Sequence, residues 1–173
     1  NAATLDLTER TGIQAILDFA RRLGIETPLR RALGTALGAS EVTLLELTSG
    51  YAPFANGGFR TPPRLITAVS DAEGTVLEID APRRQSVLDP GISYIMTSLL
   101  SSVVQEGTAH PLAAWGWTRP TAGKTGTTND GRDAWFVGYT SSLLAGVWVG
   151  DDENRALKLT GAKDALPLWA AFM

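Results

Sequence analysis

The sequence predicts an α+β fold in which helices pack on one side of an antiparallel sheet, within a single domain of residues 1–173. Apolar residues recur at helical spacing up to the segment before Gly107, whereas from Pro120 onward the period changes to two. Strands with short connections suit antiparallel pairing. The 173 residues, 44% of them hydrophobic, are enough for one core, and no linker divides the chain.

The first third of the chain predicts three helices. A short helix ends near Gly12, and a second, amphipathic helix ends at Gly24. Thr43 and Glu46 have the spacing of a capping box, so a third helix begins there. Pro53 lies inside this helix and is expected to bend or shorten it.

The middle of the chain predicts a hairpin and a fourth helix. Residues 64–70 and 75–79 flank a turn-forming segment, which is typical of a β-hairpin. Asp89 and Pro90 are suited to a helix start, and Gly107 lies past the expected helix end. The face of this helix predicted to point inward carries Ile92, Ile95, Met96, Leu99, Leu100 and Val103.

The last third predicts a three-stranded meander and a terminal helix. The strands are expected at residues 121–127, 134–140 and 143–150. Residues 164–173 then form a helix that lies on the sheet through Leu166, Trp169, Ala170 and Met173.

Composition excludes several classes of function. The formal charge of −3 gives no reason to expect nucleic acid or an anionic lipid surface as partner. The chain has no cysteine, so it has neither a disulfide framework nor a thiolate metal site. No apolar run approaches the ~20 residues that span a bilayer. A membrane association is therefore expected only through an upstream anchor.

The chemistry of the chain is concentrated in Lys124-Thr125-Gly126, followed by Thr127. This segment resembles one of the three sequence elements of serine acyl-transferases that open β-lactams. The resemblance implies an exposed edge strand that lines the largest polar groove, with Lys124 as a catalytic cation. Thr125, Gly126 and Thr127 are predicted to bind substrate, the hydroxyls through a carboxylate and a nearby backbone N–H as an oxyanion donor. Gly126→Val is expected to fill the space of the substrate backbone with little loss of folding.

The segments around this motif make the signal specific. The chain resembles the transpeptidase domain of penicillin-binding proteins, most closely the class A, bifunctional type, a fold shared with serine β-lactamases. The resemblance covers effectively the whole chain and is carried by residues 37–48 (LGASEVTLLELT), 51–58 (YAPFANGG), 121–130 (TAGKTGTTND), 133–140 (DAWFVGYT), 146–150 (GVWVG) and 169–173.

Two other elements of that family are incomplete. The family's nucleophile lies in a Ser-x-x-Lys element, and no serine here is followed three residues later by lysine. Asn1 resembles the last position of the Ser-x-Asn element, and the resemblance implies a catalytic role for it. We therefore expect a partial domain, the C-terminal part of a transpeptidase domain that is inactive without its missing N-terminal part.

The resemblance implies serine acyl transfer on peptidoglycan stem peptides at the extracytoplasmic face of the bacterial membrane. β-Lactam antibiotics would bind as mimics of the same D-Ala–D-Ala dipeptide, and neither metal nor organic cofactor is implied. Two alternatives stay open. One is a serine β-lactamase or β-lactam-sensing receptor domain, and the other is a non-catalytic binding module of the same fold.

Other polar and aromatic residues have simpler interpretations. His110 is the only histidine, and a structural or surface role is favoured because the family does not use histidine. Asp130 is interpreted as a turn residue and Asp133 as a strand-start or ion-pair residue. The tryptophans 115, 117, 135 and 148 are expected to pack in the core and at its rim, with Trp117 placed to border the cleft.

Overall fold

The computed structural model describes residues 1–173, with six α-helices, seven β-strands and three shorter turns. The helices are α1 (Ala2–Thr11), α2 (Ile13–Leu23), α3 (Leu44–Ala55), α4 (Pro90–Gln105), α5 (Pro111–Ala114) and α6 (Leu166–Phe172). The strands are β1 (Phe59–Arg60), β2 (Ala68–Ser70), β3 (Val76–Ile79), β4 (Gln85–Ser86), β5 (Ala122–Thr127), β6 (Ala134–Tyr139) and β7 (Leu144–Val149). The shorter turns are Leu33–Leu37, Asn129–Gly131 and Gly161–Ala165.

The main sheet is the predicted antiparallel meander in the order β5-β6-β7. Its register pairs Gly126 with Trp135 and Trp135 with Trp148. Each predicted strand is confirmed to within a residue at either end. Because β5 has a partner on one side only, the strand that carries Lys124 lies at the sheet edge, as predicted.

The predicted α+β class, an antiparallel sheet flanked by helices, is confirmed, but helices cover both faces of the sheet and not one side only. Phe136 and Tyr139 are three positions apart on β6 and therefore point to opposite faces. Phe136 is fully buried against Trp169 of α6, with ring centroids 5.0 Å apart. Tyr139 packs with Leu100 of α4 on the other face. The apolar residues of β6 occur on both faces because both are covered.

The buried face of α4 differs from the predicted one. Ile92, Ile95 and Leu99 are 51%, 58% and 59% exposed, whereas Ser93 is only 2% exposed. The Ser93 hydroxyl lies 3.0 Å from the carbonyl oxygens of both Pro53 and Phe54. These carbonyls belong to the last turn of α3, where helical partners run out. The orientation of α4 is therefore set by polar contacts to α3.

The capping box of α3 is present and joins two parts of the chain. The Thr43 hydroxyl accepts from the backbone N–H of Glu46, and the Glu46 carboxylate accepts from the N–H of Thr43. The same carboxylate accepts from the N–H groups of Glu26 and Thr27 and from the Thr27 hydroxyl, at 2.9, 2.8 and 2.6 Å. Glu46 therefore holds the segment after α2 against the start of α3. Pro53 is accommodated within α3 without ending it.

The middle hairpin is confirmed and projects from the body of the domain. Strands β2 and β3 pair antiparallel with a register shift at Val69, and all their residues are exposed. Below it, β1 and β4 form a two-residue ladder that the sequence did not predict. Two-residue strands carry too little periodicity to be recognised.

Candidate active site

Lys124 lies at the free edge of β5, where its side chain is exposed to solvent. Its Nζ donates a 2.8 Å hydrogen bond to the carbonyl oxygen of Thr125. Although the residue is exposed, partial desolvation lowers the pKa of the Lys124 ammonium below its ordinary value. An accessible ammonium on a strand edge is suited to attract an anion.

The backbone of β5 presents donors along its free edge. The N–H of Thr128 donates to the carbonyl of Asp133, so this residue faces the partner strand. Because successive residues of a strand direct their N–H groups to alternate sides, the N–H groups of Thr127 and Thr125 point to the open side. The Thr127 N–H therefore points away from β6 and is open to a ligand, and its role as an oxyanion donor stays a prediction.

The hydroxyls of Thr125 and Thr127 both lie on the α6 face of β5, opposite Phe136 and Ala134 in the register. The Thr125 hydroxyl lies 2.5 Å from the hydroxyl of Thr108, in the segment between α4 and α5. The Thr127 hydroxyl accepts a 3.0 Å hydrogen bond from the N–H of Gly161. An accepting hydroxyl keeps its own proton for a further acceptor, so the Thr127 proton is available to a ligand.

Gly126 lies against the cross-strand residue Trp135 and not only beside the space expected for a substrate. A Cβ built on Gly126 would lie 3.0 Å from Cβ of Trp135 and 3.5 Å from its Cγ. Because the added side chain would meet Trp135 before it reaches a ligand, this contact weighs against the expectation that Gly126→Val leaves folding almost unchanged. On the other face, a Cβ on Gly161 would lie 2.6 Å from the Gly126 carbonyl oxygen.

Asn1 lies at the start of α1, and its side chain is exposed and makes no capping hydrogen bond. Helix α1 packs against α2 and the Leu33–Leu37 turn. The structure therefore places Asn1 on an accessible end of the helical region without joining it to β5 by a hydrogen bond. Its predicted catalytic role stays a prediction.

Two surface cavities lie away from the motif. One, of about 390 Å³, is lined by Arg21, Arg22 and Arg60 together with residues of β4. The other, of about 580 Å³, lies after β7 beside Trp148 and Asp151. Neither cavity meets the expectation that the motif lines the largest polar groove. The free edge of β5 is open to solvent, and a groove needs a second wall.

Asp133 and Asp130 support the turn between β5 and β6. The Asp133 carboxylate accepts from Nε1 of Trp148 at 2.9 Å and from the Thr128 hydroxyl at 3.0 Å. Asp133 therefore precedes the start of β6, which confirms the strand-start interpretation. Its carboxylate accepts from an indole and not from a cation, so the ion-pair interpretation was wrong. Asp130 is a turn residue with φ of 62°, as predicted. No group of three His, Asp or Glu side chains comes together as metal ligands.

Trp117, Trp135 and Trp148 each pack against another indole, whereas Trp115 is 49% exposed. The Trp117 ring lies 5.4 Å from the ring of Trp169, and its Nε1 donates to the Thr121 hydroxyl. The rings of Trp135 and Trp148 are 6.3 Å apart on the sheet. His110 is exposed at the start of α5. Trp117 therefore packs against the α6 helix, which supports the core interpretation over a position at the cleft.

Sequence reasoning missed Thr108 and Gly161, which contact the hydroxyls of the motif. Thr108 lies 17 residues from Thr125 along the chain, and Gly161 lies 34 residues from Thr127. Near Thr108 the sequence offered one local signal, Gly107, which predicted the end of a helix. It did not indicate which strand the following loop would contact.

Known proteins share both the sequence and the fold. The sequence profile of the penicillin binding protein transpeptidase domain matches residues 4–161. Penicillin-binding protein 1A of Aquifex aeolicus is 38% identical over 175 residues, which cover 100% of this chain and 24% of that protein. Penicillin-binding protein 1B of Vibrio cholerae is 34% identical over 174 residues, covering 100% and 22%.

Solved structures agree. The crystal structure of penicillin-binding protein 1A from Haemophilus influenzae superposes with a TM-score of 0.92 and 26% identity, covering 99% of this chain and 32% of that one. The PonA1 protein of Mycobacterium tuberculosis in complex with penicillin V has a TM-score of 0.79 and 27% identity, covering 92% and 48%. This chain thus spans about a quarter of the length of the curated relatives described. None of its helices has the length and apolarity required to cross a bilayer.

Proposed function

This chain belongs to the penicillin-binding protein transpeptidase family, and we propose that it forms one wall of a D,D-transpeptidase site that cross-links peptidoglycan stem peptides. The observation that carries the proposal is the free edge of β5, which presents the Lys124 ammonium and the Thr127 N–H side by side. A peptide backbone is recognised at such an edge by adding alongside it as an extra strand.

The proposed reaction is serine acyl transfer in two steps. A serine elsewhere in the protein attacks the D-Ala–D-Ala amide, the terminal D-alanine leaves, and an amine of a neighbouring stem peptide takes the acyl group. The Thr127 N–H stabilises the oxyanion, and the hydroxyls of Thr125 and Thr127 bind the terminal carboxylate. Lys124 supplies positive charge and assists proton transfer during the reaction. Asn1 contacts the substrate amide.

The nucleophile is proposed to lie outside residues 1–173, since no Ser-x-x-Lys element occurs within them. The exposed apolar face of α4, with Ile92, Ile95 and Leu99, supports the view that further residues of the same domain cover it. A helix carrying the serine on that face would also supply the second wall of a groove beside β5.

The proposed partners are stem peptides and β-lactams, since a lactam mimics the dipeptide and acylates the same serine. The proposed location is the extracytoplasmic face of the bacterial membrane, with attachment through an anchor outside residues 1–173. The PonA1 structure with penicillin V, at 27% identity, supports β-lactam binding at the site to which this chain contributes one wall.

The test is acylation of the intact protein by a fluorescent penicillin, together with cross-linking of a stem-peptide substrate. Lys124→Ala is expected to lower the acylation rate at least about a hundredfold, the range for removing a charge-stabilising group. Lys163→Ala, an exposed lysine before α6, is the matched control and should keep the parent rate. A long-lived acyl-enzyme supports a transpeptidase, rapid hydrolysis of the lactam indicates a β-lactamase, and no acylation at all indicates a binding module.

A further inference from the structure

We propose that Thr108 is a positioning residue that orients the hydroxyl of Thr125 towards the terminal carboxylate of the substrate; this inference rests on the proposed function. The two hydroxyl oxygens are 2.5 Å apart, at the short end of the range for O–H···O hydrogen bonds. One of the two protons must lie between them, and which residue donates it decides whether Thr125 keeps a proton for a ligand.

The segment that carries Thr108 is held rigidly. A Cβ on Gly107 would lie 2.8 Å from Cα of Val103, so this glycine permits the chain to fold back against the end of α4. The N–H of Ala109 donates to the Val103 carbonyl at 3.0 Å, and Ala109 and Leu112 are fully buried. Thr108 thus projects from a segment fixed on both sides.

Both the backbone carbonyl and the side-chain hydroxyl of Thr125 have a hydrogen-bond partner. Nζ of Lys124 donates to its carbonyl, and Thr108 contacts its hydroxyl. The neighbouring hydroxyl of Thr127 has an equivalent support, since it accepts from the N–H of Gly161. Both motif hydroxyls therefore have a partner on the side of the sheet away from Lys124.

The direction of the Thr108 hydrogen bond follows from the ligand. A carboxylate only accepts, so Thr125 must donate its single proton to it, and Thr108 then donates to Thr125. A hydroxyl that accepts a hydrogen bond is polarised and donates more strongly. Thr108 therefore acts through Thr125 and does not need to touch the substrate.

The experiment measures acylation of the intact protein by a penicillin and by its methyl ester, which lacks the negative charge that Thr125 would bind. Thr108→Val keeps the shape and removes the hydroxyl, and it should slow acylation by the penicillin about tenfold while leaving the slower ester reaction unchanged. Thr108→Ser should restore most of the rate with penicillin. Thr140→Val, in the turn after β6, is the control for the threonine-to-valine change.

A second measurement keeps the test independent of folding. In a Thr125→Val background, adding Thr108→Val should cause no further loss, because the hydroxyl through which Thr108 acts is gone. Equal slowing of penicillin and ester, an unchanged penicillin rate in Thr108→Val, or additive losses in the double variant would each overturn the proposal while leaving the transpeptidase assignment intact. A parent protein that penicillin does not acylate would overturn both.

Discussion

The backbone of Gly161, in the turn before α6, lies in close contact with the backbone of Gly126 on the motif strand β5. A Cβ on Gly161 would lie 2.5 Å from the carbonyl oxygen of Trp135 and 2.6 Å from that of Gly126. The Gly161 N–H donates to the Thr127 hydroxyl at 3.0 Å. The turn before α6 therefore supports the motif directly, through contacts that leave no room for a side chain at Gly161.

Gly161→Ala should destabilise the domain, because both opposing atoms are strand carbonyls that cannot move without breaking the ladder. The expected loss in free energy of unfolding is about 1–3 kcal/mol, the usual cost of overpacking. Gly50→Ala in α3 is the control, since its Cβ would meet only Cδ1 of Ile25 at 3.6 Å. Alanine favours the helix, so this control should keep or raise stability. Equal stability of the two variants in urea unfolding would contradict the close approach.

Gly126→Ala should lower both the stability of the domain and its acylation by penicillin, and Gly126→Val should lower both further. The added Cβ lies 3.0 Å from Cβ of Trp135, so Trp135 has to give way, and we expect the edge of β5 to move with it. Near-ultraviolet circular dichroism reports the tryptophan environment, and labelling with fluorescent penicillin reports the site. A valine variant with the parent's spectrum but no labelling would show that the side chain blocks only the ligand.

Asp133→Asn should weaken the turn that follows the motif. The carboxylate accepts from Trp148 and Thr128 through different oxygens, whereas an amide offers one acceptor and turns a donor towards the other partner. We expect a loss of about 1–3 kcal/mol in free energy of unfolding for the donor left unpaired. Asp130→Asn is the control, because asparagine tolerates the positive φ found there. If the two variants unfold at the same urea concentration, Asp133 does not hold the turn.

The sequence predicted elements whose signals are local. The capping box of Thr43 and Glu46 was recognised because both partners lie within four residues, and the alternating strands were found because their period is visible within six. The edge position of Lys124 followed from the motif's chemistry. What the sequence does not display is which surface each element meets.

Helix α4 illustrates this limit. It is apolar around most of its circumference, so spacing alone did not separate Leu100, which is buried, from Leu99, which is exposed. Hydrogen bonds from hydroxyl groups determine which face of α4 is buried. The hydroxyls of Ser93 and Thr97 donate to the carbonyl of Phe54, and the Thr97 hydroxyl also lies 2.8 Å from the Tyr139 hydroxyl. Thr108 and Gly161 were missed for a related reason, since each meets the motif only after the chain has folded.

Stability should fall in acid through Glu46. Hydrogen bonds, first from the Thr27 hydroxyl and then from the Thr27 backbone N–H, lower the pKa of Glu46 to about 2. A carboxyl whose pKa is lowered on folding stabilises the fold above its unfolded pKa, and this contribution is lost as the pH falls from about 4.5 to about 2. Glu46→Gln should be less stable than the parent at pH 7 and should lose less on acidification. Glu41→Gln, in the preceding loop, is the control. Parallel pH profiles for parent and Glu46→Gln would contradict this role.

The central claim is that residues 1–173 supply the Lys-Thr-Gly wall of a site whose nucleophile lies elsewhere in the protein. The most direct measurement is mass spectrometry of peptides after incubating penicillin with the intact protein and, separately, with the 173-residue chain. The account predicts one adduct in the intact protein, on a serine outside these residues that is followed three positions later by lysine, and none on the chain alone. A stable adduct on any serine within residues 1–173 would contradict it.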